Sequence, residues 1–597
     1  MKLSRLYANR PTAFSPITFG EGLNVVIAEI RTPENKKRDT HNLGKTTLGA
    51  IIDFTLLSRR DKDMFLFKYD QFADFVFFLE IRLSRGGYLT VRRSVAEASR
   101  ISFKRHLDPR QDMLDLREED WDHFNVPFER AQSLLDGYLD LVDLKPWNFR
   151  KGLGYLLRTQ ADYADVFQLH RYASQHSDWK PFIAHILGFD SARITECYRK
   201  EEALDGLKDT VATIEAQAGG SVSDVGKIDG MLSLKRKEIA RTQEMLDSFD
   251  FRVEDKERVK QLVDQFDEQL ATLNARRYTL RNSLKRISAA IDEGQILFDP
   301  DAAAELFEEA GVLFGDQLKV SFEQLIKFNI SITEERRQYL LEDRAETQAE
   351  LTQINSEINA LGRRRSESLA FLTSTDSFEK YKELSDKLVE IRADALALDA
   401  QRAAIQQLQT LRAEIRATEA EIDALRIGIE ENVELEGAPD SDGLFAAVRT
   451  NFDDIVRTVI DRDALISVSL NHNYHLEFGA DILDEKGNPT SADEGTSYRK
   501  LLCVAFDLAV ARAHNPMGYP QFVYHDGVFE GLDPRKKERL LDVIREYADA
   551  GIQQIITLID SDTPPPETGG PAFEEGEIVL TLHDEGEAGR LFKMRAW

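Results

Sequence analysis

Four short stretches, far apart in the chain, carry side chains of the types that handle phosphate and magnesium. The first is Arg38 to Leu48, RDTHNLGKTTL, which contains the tripeptide Gly44, Lys45, Thr46. In the pattern G-x-x-x-x-G-K-[ST], successive backbone N–H groups curl around phosphate oxygens, the lysine reaches the β- and γ-phosphates, and the hydroxyl binds Mg²⁺. Asn42 and Thr47 flank the tripeptide and join it as candidate nucleotide contacts. The position five before Gly44 holds Asp39 where the pattern has glycine. A carboxylate facing phosphate repels it, so Asp39 is expected to point outward, with Lys36, Lys37 and Arg38 compensating; alternatively TPENKKRD is a plain solvated loop. In the second stretch, QFVYHDGVFEGLD, Asp526 ends an apolar run, where a carboxylate holds Mg²⁺ commonly through water. The third, DEGTSYRKLLCVAFDLAVARA, sets Gly495, Thr496 and Ser497 ahead of an apolar helix, and small and hydroxyl residues at a helix N-terminus make an anion site. In the fourth, LGYLLRTQADYADVF, Gln160 follows an apolar run and is placed to watch the metal and the attacking water.

A Gly-Lys-Thr tripeptide alone also occurs in ordinary strand–helix turns with an exposed lysine, so the flanking elements matter. Upstream, GLNVVIAEI (22–30) is an apolar, β-branched run that predicts a buried strand; downstream, Leu48, Ile51, Ile52 and Leu56 recur at helical spacing. Strand, loop and helix in that order aim the free N–H groups and positive dipole end of the helix at an anion. FADFVFFLEIRL and GYLTVRRSV predict a hairpin through Gly86-Gly87, and LISVSLNHNYHLEF, QFVYHDG and IQQIITLID read as strands near the other end of the chain.

Between these mixed regions the texture is heptad. Leu408, Leu411, Ile415, Thr418, Ile422, Leu425 and Ile429 step by three and four, as do Val259, Leu262, Phe266, Leu270, Leu273, Arg277, Leu280, Leu284 and Ile287. Shorter runs are Leu351, Ile354, Ile358, Leu361 and Tyr381, Leu384, Leu388, Ile391, Ala395, Leu398. With charged residues at most flanking positions, this spacing is a coiled-coil seam rather than one face of a globular helix. Pro300, Gly311 and Gly315 interrupt it among several phenylalanines, marking an apex where the chain reverses. Arms of roughly 100 residues would each reach about 150 Å at a rise of about 1.5 Å per residue; Gly219-Gly220 and STDSFEK should shorten or bend them. The reversal brings the two mixed ends together. The expected organisation is 1–190, first half of an α/β head; 191–290, ascending arm; 291–331, apex; 332–434, descending arm; 435–597, second half of the head.

Composition narrows the classes. At 597 residues the chain exceeds one compact domain, and 77 basic against 105 acidic residues give a net charge of −28. A protein this acidic does not coat itself with nucleic acid, so any DNA contact is confined to a local basic patch. Two cysteines, Cys197 and Cys503, allow neither a disulfide framework nor a Cys-x-x-Cys metal hook, which points to a reducing cytoplasm. MKLSRLYANRP lacks the apolar core of a signal peptide, and no stretch approaches the ~20 apolar residues of a membrane span. The expectation is a soluble intracellular protein without membrane contact.

The chain resembles the SMC/RecN-type ATPases, the coiled-coil branch of the ABC ATPases, and within them a divergent SMC-like subgroup whose C-terminal half is a domain of unknown function. The likeness rests on HNLGKTTL, GTSYRKLLCVAFDLA and HDGVFEGLD and extends along the whole order of head, arm, apex, arm, head. It implies an α/β ABC-type ATPase head split between the two termini, with a long antiparallel α-helical coiled-coil hairpin inserted, and ATP with Mg²⁺ as cofactors. Lys45 and Thr46 would then be Walker A residues, Gln160 the Q-loop, Gly495 to Arg499 the signature motif, Asp526 Walker B and Asp533 the D-loop. In such proteins two heads clamp two ATP molecules, the signature of one meeting the γ-phosphate held by the other. A homodimer through the heads, non-sequence-specific double-stranded DNA, and a small partner or effector protein are the partners this implies, in genome maintenance or phage defence. A cytoplasmic location, with association to the nucleoid left open, goes with them.

The departures from the family matter. Its members usually carry a glutamate directly after the Walker B aspartate as the base for water; here that position is Gly527. The switch histidine after the next strand is also missing, since IITLIDSD offers Leu558, Asp560 and Asp562. Either Glu530, His525 or an aspartate such as Asp560 takes over as a non-standard base, or hydrolysis is slow and ATP acts mainly as a dimerisation switch, the reading we favour from sequence. Candidate DNA contacts are RTPENKKRD, Arg92, Arg93, Arg100, Lys104 and Arg105, whose charges equally suit a solvated face. The competing class is a non-hydrolysing, ATP-gated scaffold that recruits or restrains a separate effector. No nuclease constellation, zinc site or catalytic triad is visible.

Overall fold

Near-continuous apolar runs such as LNVVIAE and QQIITLI cannot sit on a half-exposed sheet; they belong in a parallel sheet covered on both faces. That is where they lie in the computed structural model of the chain, which describes residues 1–32, 43–169, 176–218, 225–248, 253–293, 316–370, 376–438, 440–490, 495–565 and 571–595. The described residues form two compact units, one made of Met1–Arg199 with Asp423–Trp597, the other of Lys200–Ile422.

The first unit holds a five-stranded parallel sheet in the order β13-β3-β12-β11-β8. Two strands come from the N-terminal part, β3 (Leu23–Glu29) and β8 (Leu157–Arg158). Three come from the C-terminal part, β11 (Phe522–Asp526), β12 (Gln553–Ile559) and β13 (Ile578–His583). The two parts therefore share one hydrogen-bonded sheet, with β3 lying between β13 and β12. α1 (Lys45–Thr55) and α4 (Phe149–Leu156) pack on β11, and the N-terminal part also holds the short α2 (Phe65–Lys68), α3 (Phe128–Leu139) and α5 (His176–Ile186). A second, antiparallel sheet runs in the order β2-β1-β4-β5-β6-β7. Its strands are β1 (Lys2–Ala8), β2 (Ile17–Thr18), β4 (Val76–Arg82), β5 (Tyr88–Ser94), β6 (Arg100–His106) and β7 (His123–Pro127). Gly86 and Gly87, at φ +95° and +78°, make the β4–β5 turn, which needs left-handed backbone at both positions.

Three more helices and a hairpin belong to this unit: α11 (Leu444–Ile460), α12 (Thr496–Ala513), α13 (Pro534–Asp549), and β9 (Ala464–Leu470) with β10 (Leu476–Ile482). LISVSLNHNYHLEF is thus two strands rather than one. Asn471 ends the first, its side-chain oxygen accepting from the N–H groups of Asn473 and His475; an asparagine that caps its own turn favours a bend over extension. α12 is buried almost all round from Lys500 to Ala511 and packs against α11.

The second unit is helical, drawn from α6 (Ser191–Ala218), α7 (Val225–Asp247), α8 (Val253–Glu293), α9 (Asp316–Ala370) and α10 (Asp376–Gly437). α8 packs against α9. α7 meets α10 through Ile228, Leu232, Ala395 and Ile405, and Leu246 with Val263 meets Tyr381 and Leu388. One predicted seam position is corrected: Leu262 is exposed and its neighbour Val263 is buried. The shift accompanies Asp267, buried four residues on, which accepts from Ser385 Oγ and pairs with Arg365, so α8 turns Val263 and Asp267 inward towards α9 and α10. Of the expected apex 291–331, residues 294–315 lie outside the described residues, while 291–293 continue α8 and 316–331 belong to α9. Gly219-Gly220 and the first two residues of STDSFEK, Ser374 and Thr375, also lie outside them, while Asp376 to Lys380 begin α10.

Candidate functional site

α1 begins immediately after Gly44, whose φ of +107° is a left-handed conformation that a side chain resists. Its N-terminal end points to the C-terminal end of β11. Lys45 is 6% exposed there, and Thr46 Oγ1 donates to Asp526 Oδ2 at 2.6 Å across 480 residues of sequence. The other carboxylate oxygen of Asp526 accepts from the hydroxyl of Thr557 on β12. Tyr524, two residues before Asp526 and so on the same face of β11, donates its hydroxyl to Lys45 O at 2.8 Å. Gly49 permits this approach, because a β-carbon there would lie 2.8 Å from the tyrosine ring. The far end of α1 is held by two arginines. Arg93 donates to the carbonyls of Phe54 and Ser58, and Arg150 to those of Asp53 and Leu56, placing cations at the negative end of the helix dipole.

That role removes Arg93 from the candidate DNA contacts. Its guanidinium is buried, stacked on Phe54 and bonded also to Ala98 O. Lys104 is tied to Asp122 and Arg92 is half-buried, which leaves Arg100 and Arg105 as the exposed members of the set on β6.

Beyond Asp526 the chain turns sharply. Gly527 and Gly531 have φ of +68° and +76°, and the turn folds Glu530 back over Gly527. A β-carbon on Gly527 would lie 2.6 Å from Glu530 Oε1 and 2.8 Å from its Cδ, so the Glu530 carboxylate fills the space a side chain at 527 would take. Gln160 Nε2 donates to Glu530 Oε1 at 3.0 Å. Lys500, buried on α12, donates to Glu530 Oε2 at 2.8 Å and to Gly527 O at 3.0 Å. Burial pushes the pKa of Lys45 below its ordinary 10.5, against the opposing pull of Asp526, Glu530 and Asp562, with Lys500 adding repulsion.

His525 does not join this group, which corrects its place among the candidate bases. Strand alternation sends it to the opposite face of β11 from Asp526, where it is fully buried and its Nε2 lies 3.2 Å from Asp507 Oδ2. Asp507, on α12, is bidentate to Arg158, whose remaining donors go to the carbonyls of Asp162, Asp165 and Val166. This buried knot ties the segment after Gln160 to α12. Burial alone would lower the Arg158 pKa, but the Asp507 charge outweighs it and holds the group above its ordinary value.

Gly495 precedes the first turn of α12, which contains Thr496, Ser497 and Arg499. Ser497 lies against Gly531, where any β-carbon would collide with its hydroxyl, so the start of α12 and the turn after Asp526 are neighbours. Arg499 reaches Ala164 O at 3.3 Å. Asp533 is the N-cap of α13, accepting from Lys536 N and pairing with its ammonium. Asp560 accepts from Ile30 N, and Asp562 pairs with Lys537 at 2.8 Å. Thr47 is partly exposed on α1; Asn42, Asp39, Lys36, Lys37 and Arg38 lie outside the described residues.

Sequence reasoning missed Lys500, Thr557 and the Arg158–Asp507 pair. Charged residues at the fifth and twelfth positions of a largely apolar helix were the available signal for Lys500 and Asp507. The donor set suits Mg²⁺: hydroxyl and carboxylate oxygens are hard ligands, and Mg²⁺ takes one or two carboxylates with substrate phosphates and water rather than a full protein cage. No cluster of three or more His, Cys, Asp or Glu suited to a metal occurs among the described residues. No helix among them is long and apolar enough to cross a membrane.

A family model described as an uncharacterised protein conserved in bacteria (DUF2326) matches residues 455–596. No curated protein matches the chain. Among solved structures, an Smc head domain with a coiled coil and joint from Pyrococcus yayanosii is 13% identical, covering 94% of this chain and 92% of its own, with a TM-score of 0.33. An Smc head domain with an extended coiled coil, bound to the C-terminal domain of ScpA, from Pyrococcus furiosus is 11% identical over 94% of this chain and 90% of its own, with a TM-score of 0.32. Scores of this size leave the fold to be argued from its own strands and helices.

Proposed function

We propose that the chain binds and hydrolyses ATP with Mg²⁺ in the unit built from its two ends, and that two such heads close on two nucleotides. The observation that carries the reading is the hydrogen bond from Thr46 to Asp526, a hydroxyl and a carboxylate brought together beside a buried lysine at a helix N-terminus. In this reading the backbone of Asn42 to Thr47 binds phosphate, Lys45 reaches the β- and γ-phosphates, and Thr46 with Asp526 holds Mg²⁺, directly or through water. The metal, when bound, neutralises charge on the phosphates and favours attack at the γ-phosphorus. Gln160 orients the attacking water. Glu530 takes its proton as the new P–O bond forms and the bond to ADP breaks, releasing ADP and phosphate. Gly495, Thr496, Ser497 and Arg499, with Asp533 beside them, face the nucleotide of the second head.

A second reading has its own support. Both oxygens of Glu530 already accept from Gln160 and Lys500, and a base so occupied suits slow turnover, with ATP as a dimerisation switch for an attached effector. Glu530→Gln separates the two. If Glu530 is the base, turnover falls by about 10²-fold or more while ATP-bound dimer accumulates; if it is a bystander, a slow rate persists unchanged.

The reading as a whole is tested by MgATP affinity in the wild type, Lys45→Ala and Asp526→Asn. Affinity in the wild type and its loss in Lys45→Ala are expected; equal binding by all three overturns the site. Double-stranded DNA, a small partner protein and a cytoplasmic location complete the proposal from the family resemblance. DNA binding by the ATP-bound dimer should weaken steeply with salt, and salt-insensitive or absent binding removes that part.

A further inference from the structure

Lys500 stands on α12, yet its ammonium reaches across to the turn that follows Asp526. It donates to Glu530 Oε2 at 2.8 Å and to Gly527 O at 3.0 Å, and it lies 5.1 Å from the centroid of the Tyr163 ring. An ammonium has three donors and no acceptor, so carboxylate, carbonyl and ring face account for the whole group. Its side chain is 9% exposed, against 31% for that of Glu530.

The same face of α12 holds the segment that carries Gln160. Lys500, Cys503 and Asp507 are spaced i, i+3, i+7, which is one stripe of a helix. Cys503 Sγ donates to Asp165 O at 3.5 Å, and Asp507 is bidentate to Arg158. Within that segment Asp162 Oδ2 accepts from Thr159 N at 3.1 Å and from Thr159 Oγ1 at 2.8 Å, closing the turn from which Gln160 reaches Glu530 Oε1. Gln160 and Glu530 are therefore both held against α12. Lys500 touches each side, Tyr163 of the one and Gly527 with Glu530 of the other.

We propose that Lys500 is a positioning residue for hydrolysis, fixing the Glu530 carboxylate over Gly527 and opposite Gln160 so that the base meets the attacking water in one geometry. The proposal rests on the reading of Glu530 as the base. A glutamate side chain left partly in solvent keeps rotamer freedom that packing alone does not remove. A charge-assisted bond from a buried ammonium, itself pinned to the backbone at Gly527, removes it. Gln160 and Lys500 take two of roughly four lone-pair sites on the carboxylate, which leaves room for a water. Stability alone gives no reason for the lysine, because burying an ammonium costs desolvation and this one repels Lys45.

The test compares the full-length wild type, Lys500→Met, Lys500→Arg, Glu530→Gln and the double variant Lys500→Met with Glu530→Gln. Steady-state phosphate release, equilibrium MgATP affinity and melting temperature are measured on each. Lys500→Met should lower kcat by about 10²-fold, the scale of a base misplaced by about 1 Å, with MgATP affinity within about threefold of wild type. Lys500→Arg, which keeps a cationic donor, should recover about tenfold of that loss. In the Glu530→Gln background Lys500→Met should cost less than about twofold more, because both changes act on one group. Should Lys500→Met fail to fold, Lys500→Gln, one bond too short for the same contacts, takes its place. A folded Lys500→Met protein with kcat within about threefold of wild type overturns the positioning role. So does a loss of MgATP affinity as large as the loss of kcat, or an equal loss in both backgrounds, since either places the action of Lys500 elsewhere. If the wild type and Glu530→Gln turn over alike, the base reading falls and takes this proposal with it, while MgATP affinity still reports on the nucleotide site.

Discussion

Gly527→Ala isolates the role of the Glu530 carboxylate without touching that residue. The added β-carbon would sit 2.6 Å from Oε1, 2.8 Å from Cδ and 3.1 Å from Oε2. Comfortable separation for such pairs is about 3.5 Å, so the carboxylate must retreat by about 1 Å. Its bonds to Gln160 at 3.0 Å and Lys500 at 2.8 Å then stretch beyond hydrogen-bond range. The steric demand itself is met at the far end of a flexible side chain and costs little. The backbone cost is alanine at φ +68°, about 1–2 kcal/mol, which for a chain of this size corresponds to a fall in melting temperature of roughly 1–2 °C. If Glu530 is the base, misplacing it removes most of general-base catalysis, so steady-state phosphate release should drop by about 10²-fold or more. MgATP affinity should stay within a few fold, since the loop and Asp526 are untouched. Adding Glu530→Gln to Gly527→Ala should cause no further loss, because both act on one group. Wild-type turnover in a folded Gly527→Ala protein would refute the assignment and move the search for a base to Asp560 or elsewhere.

Three other perturbations follow from the buried charges. Arg93→Met removes three hydrogen bonds to carbonyls, two of them at the end of α1; a loss of about 2–4 kcal/mol in chemical denaturation is expected, with DNA binding by the folded protein unchanged. Arg158→Met leaves Asp507 buried beside His525 alone and should cost about 3–5 kcal/mol, most of it recovered when Asp507→Leu is added. Lys45 provides the pH test. Burial lowers its pKa from 10.5 in the free protein, and a phosphate partner should raise it again. The complex then holds more protons than its components at alkaline pH, so nucleotide affinity should fall as pH rises through the lowered value. Calorimetry in buffers of different ionisation enthalpy should show proton uptake on binding that grows as pH rises through the lowered value. In the free protein the sign reverses: the unfolded chain binds the extra proton, so this lysine's contribution to stability rises with pH between the lowered value and 10.5.

Two errors of the sequence reading share one cause and were avoidable. VRRSV counts as a basic patch only if both arginines face outward, yet neighbours on a strand point to opposite faces, and Arg93 goes inward while Arg92 stays partly exposed. The same parity separates His525 from Asp526. Leu262 and Val263 differ by one position on a seam that a buried aspartate and arginine decide, and apolar periodicity carries no information about that pair. Glu530 was a candidate from its distance along the chain. Its placement over Gly527 needs two left-handed glycines and the ammonium of Lys500, a residue thirty positions earlier.

The sequence by itself determined what depends on neighbours within a few positions. The strand before Gly44, the helix after it, the double-glycine hairpin, the heptad helices and the carboxylate ending an apolar run all follow from local sterics and from which face of one element is apolar. The tertiary structure alone decided how those elements pair. The sheet order β13-β3-β12-β11-β8 interleaves strands from both ends and sets Thr46 at 2.6 Å from Asp526 across 480 residues. It also brings Gln160 within 3.0 Å of Glu530 across 370 residues. Strand order is chosen by the summed packing of every face at once, a quantity that no window of sequence contains.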